Sequence, residues 1–134
     1  MTDENWADRT APDLDAFMGL AREAFAGLPE AFRARCGDIV IRIEDFPDDE
    51  ICEELGLESP FDLLGLFQGV SLIDRGAEAG APNYVFLYRR PMLDYWADGE
   101  ETLRGLVTHV LIHEIGHHFG FSDDDMHAIE DAAG

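Results

Sequence analysis

Residues 113–117 read His113-Glu114-Ile115-Gly116-His117, two imidazoles four positions apart with a carboxylate beside the first. On a helix, positions i and i+4 share one face. Both rings therefore reach a single zinc ion at bond lengths of about 2.0–2.1 Å. The glutamate then lies beside a metal-activated water, because zinc draws the pKa of water toward neutrality and the carboxylate takes its proton. The H-E-x-x-H spacing has meaning for that mechanical reason. The string runs on through Gly120 to Asp123, giving H-E-x-x-H-x-x-G-x-x-D. Glycine lets the chain leave the helix through a backbone angle that other residues resist, and Asp123 returns as a third ligand. His113, His117 and Asp123 leave a fourth position open, the arrangement of catalytic rather than structural zinc.

A helix must carry these groups. Leu103, Leu106, Val107, Val110, Leu111 and Ile115 trace one face from 103 to about 119, with Gly120 as its stop. Asp98, Gly99, Glu100 and Glu101 supply a D-x-x-E start signal. On a helical wheel Glu114 lies about 20° from Leu103, His117 about 40° and His113 about 80°. A charged group in an apolar arc is costly unless it is paired or faces a metal or a wet cleft. One ion accounts for all three, although an ordinary helix edge with two hydrogen-bonded histidines is the plainer alternative. Asp124, Asp125, His127 and Glu130 stand close enough in sequence to replace Asp123 as ligand, and Asp123 also has the chemistry of a helix cap. His118 is expected to be buried among Val107 and Leu111. His109 is expected to line the cleft or pack, because three ligands on one straight helix stretch over about 11 Å.

The remaining elements frame that helix. Thr10 and Asp13 resemble a capping box ahead of an amphipathic helix over 11–26, ended by Gly27. Pro29 opens a short second helix closed by Gly37. Residues 38–44 and 84–90 read as strands, and Asp48, Asp49 and Glu50 open another short helix that Gly56 ends. The stretch 63–74 reads as two short extended pieces forming an edge hairpin, and 76–83 as a loop. Pro91 and MLDYWADG lead into the long helix, and a short closing helix follows Ser122. No repeat is present. Residues 1–9 are expected to be a flexible tail and 10–134 a single domain.

The chain has 134 residues, with 29 acidic side chains against 9 basic ones and a net charge of -20. Its 46% apolar content is enough for one packed core, which argues against disorder. So acidic a surface disfavours nucleic acid and anionic lipid. No run approaches the roughly 20 apolar residues needed to span a bilayer, so no membrane partner is expected. The acidic N-terminus lacks the basic and apolar regions of a signal peptide, and Cys36 and Cys52 lack metal or redox spacing. Both features point to a cytoplasmic protein with reduced thiols.

Residues 107–126, VTHVLIHEIGHHFGFSDDDM, resemble the signature of the minimal zincins, a family of small bacterial zinc metallopeptidases. The resemblance extends more loosely to LLGLFQG and YVFLYRRP. It implies an α+β zincin-like domain, a short mixed sheet packed beside the H-E-x-x-H helix, with an edge strand over the cleft and Zn2+ as cofactor. The pattern is also similar to that of metzincins, but only eleven residues follow Asp123 and Met126 comes almost at once. The expected function is a zinc metallopeptidase hydrolysing a peptide or protein substrate through a metal-activated water, with Glu114 as general base. Cationic substrates suit its charge, and an extended peptide would add to the sheet edge near 66–73. Tyr84, Tyr88, Tyr95 and His109 are candidates to stabilise the oxyanion. The alternative is a non-catalytic metal-binding or metallochaperone-like protein using the same ligands. The oligomeric state is not legible.

Overall fold

The computed structural model describes residues 6–68 and 83–133. Among these residues six α-helices and three strands follow in the order α1 (Leu14–Ala26), α2 (Glu30–Cys36), β1 (Ile39–Glu44), α3 (Asp49–Leu55), β2 (Gly65–Gln68), β3 (Asn83–Tyr88), α4 (Arg89–Asp98), α5 (Leu103–His118) and α6 (Asp123–Ala133). This is an α+β fold with a small mixed sheet, as the resemblance implies. The β-branched run Ile39–Ile43 makes β1, which pairs in parallel with β3, from Ile39 opposite Asn83 to Glu44 opposite Tyr88. On the other side of β3, β2 runs antiparallel, so the strand order is β1-β3-β2 and β2 is an edge among the described strands.

The core forms where α1 and α5 cover the sheet. Phe17, Ala21, Val85, Leu87, Leu106, Val107, Leu111 and Ile115 are all at most 1% exposed, in one cluster. The close approach of β2 to α5 depends on Gly65, because a Cβ there would lie 2.7 Å from Val110 Cγ1 and 3.0 Å from the Phe86 carbonyl. Arg89, at the end of β3, donates to Asp45 and to the Pro12 carbonyl, each at 2.7 Å, and so ties the approach to α1 to the end of the sheet.

Several boundaries differ from expectation. The N-cap of α1 is Asp13, whose carboxylate accepts the Ala16 N–H at 2.8 Å, so the helix starts at Leu14 rather than at 11 and Thr10 is no cap. The strand expected over 84–90 ends at Tyr88, and α4 takes up the chain directly. Pro91 looks like a break in the sequence, yet it occupies the third position of α4, where no intrahelical N–H is required. In consequence Asp98 closes α4 instead of opening α5, which Thr102 caps by accepting the Gly105 N–H at 3.0 Å. β2 accounts for part of the extended pieces expected over 63–74. Leu63 and Leu64 lead into β2, while residues 69–74 of that stretch and the expected loop, apart from Asn83, lie outside the described residues, as do residues 1–5 of the expected tail. Trp6–Asp8 form a 3-10 turn. Cys36 and Cys52 are both free thiols. No helix among the described residues is long and apolar enough to cross a membrane.

Candidate metal centre

α5 carries the motif in its later turns, along the arc that Leu106, Val107 and Val110 bury in the earlier ones. Leu106, Val107, Val110, Leu111, Ile112, Ile115 and Gly116 are buried, while His109, His113 and Glu114 are half-buried and His117 is exposed. At the end of α5 the Phe121 N–H returns to the Gly116 carbonyl at 2.9 Å, and Gly120 adopts φ +77°, the left-handed angle that glycine tolerates best. The chain reverses there and α6 runs back along α5. Met126, fully buried, seats against Gly116, where a Cβ would meet its Sδ at 2.6 Å and its Cγ at 2.9 Å. Met126 is thus a core residue that fixes the approach of α6 to α5.

That docking places Glu130, one turn beyond Met126, against the histidine face. A single oxygen, Glu130 Oε1, lies 2.9 Å from His109 Nδ1 and 2.9 Å from His113 Nε2. Burial alone pushes the Glu130 carboxyl up, but the hydrogen bonds and charge of the two histidines outweigh it and hold the carboxyl below its ordinary value. Among the described residues, His109, His113 and Glu130 are the one set of three possible metal-ligating side chains with donor atoms all within 4.8 Å of one another. The structure therefore brings His113 to His109 and Glu130, and does not draw His113, His117 and Asp123 together to that distance.

His117 sits one turn past His113, the ring centres 5.8 Å apart and the planes at 83°. A tetrahedral ion bridging two imidazoles at about 2.0–2.1 Å sets their centres about 5 Å apart, so this pair fits zinc with a small adjustment. Asp123 is exposed in the first turn of α6. The cap of that helix is made by others: the Asp125 N–H donates to Ser122 Oγ and the Ser122 N–H to Asp125 Oδ2. Asp123 is outside that capping pair. His118 is not buried as expected. It is exposed in the last turn of α5 and stacks on Phe67, at the border of the core, with ring centres 4.1 Å apart.

Glu114 faces the sheet edge. The Tyr88 N–H bonds the Leu64 carbonyl at 3.0 Å, which makes 64, 66 and 68 the bonded positions of the β2–β3 ladder. Gly65 and Phe67 consequently turn their backbone groups away from β3, and the Phe67 N–H meets the Glu114 carboxylate. Burial pushes the Glu114 carboxyl above the usual range, against the lowering by His117 and by that N–H. A half-buried carboxylate with a raised pKa, next to a histidine pair, is suited to accept a proton. Of the four oxyanion candidates, Tyr88 is sealed in the core, its hydroxyl pushed up to about 12 by burial first and neighbouring carboxylates second. Tyr95 is 54% exposed on α4, Tyr84 stacks with Phe86, and His109 is held by Glu130. The part played by Glu130 was only one of several alternatives in the sequence. The signal for it is its spacing from Met126: i and i+4 share a face, and an apolar residue there must be buried.

A helix bearing H-E-x-x-H beside a short mixed sheet, with an edge strand along it, defines the zincin class of architecture. The chain belongs to the zincin-like metallopeptidase family, whose family model matches residues 36–133. Among solved structures it is similar to a conserved hypothetical protein from Thermus thermophilus, at 20% identity and a TM-score of 0.54, covering 80% of this chain and 94% of that one. That likeness supports the fold. No curated protein matches the sequence.

Proposed function

We propose that the protein is a zinc-dependent peptidase, with His113, His117 and Asp123 as metal ligands and Glu114 as general base. The observation that carries this reading is the position of Glu114, half-buried between the motif histidines and the side of β2 that faces away from β3. Zinc, when bound, supplies Lewis acidity that brings water near neutrality in pKa and polarises a carbonyl. Glu114 takes the proton from the attacking water and returns it to the leaving amine. The outward N–H and carbonyl of Gly65 and the outward carbonyl of Phe67 offer an extended peptide a strand to pair with, beside the Phe67 N–H that Glu114 holds. With a net charge of -20, the surface favours cationic substrates, and the expected compartment is the cytoplasm.

Glu114→Gln keeps the size of the side chain and removes the base. Turnover of a quenched fluorescent peptide library should drop at least a hundredfold while zinc content stays unchanged. Full turnover by this variant would refute the mechanism. The second reading, a metal-binding or metallochaperone-like protein, is favoured by the His109–His113–Glu130 cluster, which holds its donors together without Glu114. On that reading the wild type shows no turnover above the variant and exchanges its zinc readily.

A further inference from the structure

We propose that His109, His113 and Glu130 form a second divalent-cation station, which shares His113 with the H-E-x-x-H centre and therefore competes with it. The donors are already assembled. Glu130 Oε1 is 2.9 Å from His109 Nδ1 and from His113 Nε2, and all three atoms lie within 4.8 Å of one another. A tetrahedral ion with bonds of about 2.0–2.1 Å spaces its ligands about 3.3 Å apart, so each contact must open by only about 0.4 Å.

The scaffold holds this geometry from both sides. His109 and His113 are one turn apart on α5, with ring centres 4.0 Å apart. Glu130 is set by Met126, one turn earlier on α6 and fully buried against Gly116. Two imidazole nitrogens and one carboxylate suit Zn2+ or Co2+ rather than Mg2+ or Ca2+, which prefer an all-oxygen shell. The side chains of His109, His113 and Glu130 are 43%, 21% and 26% exposed, so an ion can enter and water can complete its shell.

Sharing His113 has a consequence. An ion held at the station draws His113 toward His109 and Glu130 and away from His117. The station stands independently of the peptidase reading, whereas its effect on turnover rests on that reading: added zinc would inhibit by occupying it.

The test uses Co2+ with the full chain, reading stoichiometry by equilibrium dialysis and coordination by visible absorption. The double variant His117→Ala/Asp123→Ala removes the motif centre and should still bind one Co2+. Adding Glu130→Gln to it should weaken that binding at least tenfold. His109→Ala repeats the test at a half-buried side chain outside the hydrophobic core, and thermal melting without metal confirms that each variant is folded. Loss of all Co2+ binding in the double variant, or binding indifferent to both Glu130→Gln and His109→Ala, would overturn the station. Neither result bears on the peptidase reading, which stands or falls on turnover by Glu114→Gln.

Discussion

Replacing Gly116 by alanine tests how the two halves of the candidate centre are held together. In an open helix this change stabilises by about 0.5–1 kcal/mol, since glycine is the poorer helix former. Here the new Cβ would lie 2.6 Å from Met126 Sδ and 2.9 Å from its Cγ, atoms in the middle of a fully buried side chain. Overpacking of a well-filled core costs about 1–3 kcal/mol. The expected net loss is about 1–2 kcal/mol, seen as a lower urea midpoint in the metal-free protein. Because α6 must yield, Glu130 and Asp123 move with it, and Co2+ affinity should fall as well. In a Met126→Ala background the two clashing atoms are gone, and Gly116→Ala should then be neutral or stabilising. The coupling in that double-mutant cycle should be about 1 kcal/mol or more. A stabilised Gly116→Ala in the otherwise native chain would refute the close seating of α6 on α5.

Two further outcomes follow from burial and capping. Burial pushes the Cys36 thiol from 9.0 to about 11, so at pH 8 its thiolate fraction is about a hundredth of that of an ordinary cysteine. Iodoacetamide with mass spectrometry should label Cys52 and spare Cys36, and equal rates would contradict the packing. The native thiol keeps its proton to about 11 and the unfolded one only to 9.0, so this group's contribution to stability is complete below pH 9 and is lost across that window. Thr102→Ala removes the cap of α5 and should cost about 1 kcal/mol in thermal or urea unfolding, with zinc stoichiometry unchanged. No loss in that variant would show that another group satisfies the Gly105 N–H.

The motif helix was legible because its apolar spacing and its chemistry agree: Glu114 and His117 continue, in the later turns of α5, the arc that Leu106, Val107 and Val110 bury in the earlier ones. Short elements closed by glycine, such as α2 and α3, were legible for a similar local reason. α4 was missed because Pro91 looks like a break unless its place in the first turn is known. That error displaced the start of α5 from Thr102 to Asp98. The fate of His118 was misjudged because a helical wheel treats every turn alike, while in the last turn of α5 Ile115 stays in the core and His118 turns out onto Phe67. The Glu130 contact depends on how two helices dock, and local spacing offers Asp124, Asp125, His127 and Glu130 as near equals. Only the fit of Met126 onto Gly116 separates them.

The pair His113 and Glu130 is 17 positions apart along the chain, and His109 and Glu130 are 21 apart. Loop-closure entropy rises only slowly with length and is small at such separations. By contrast, β1 and β3 join residues 39–44 to 83–88 by a parallel crossover, a slower kind of pairing. The α5–α6 contact is therefore local in sequence, and it closes at a smaller entropic cost than the β1–β3 pairing that α5 also packs against.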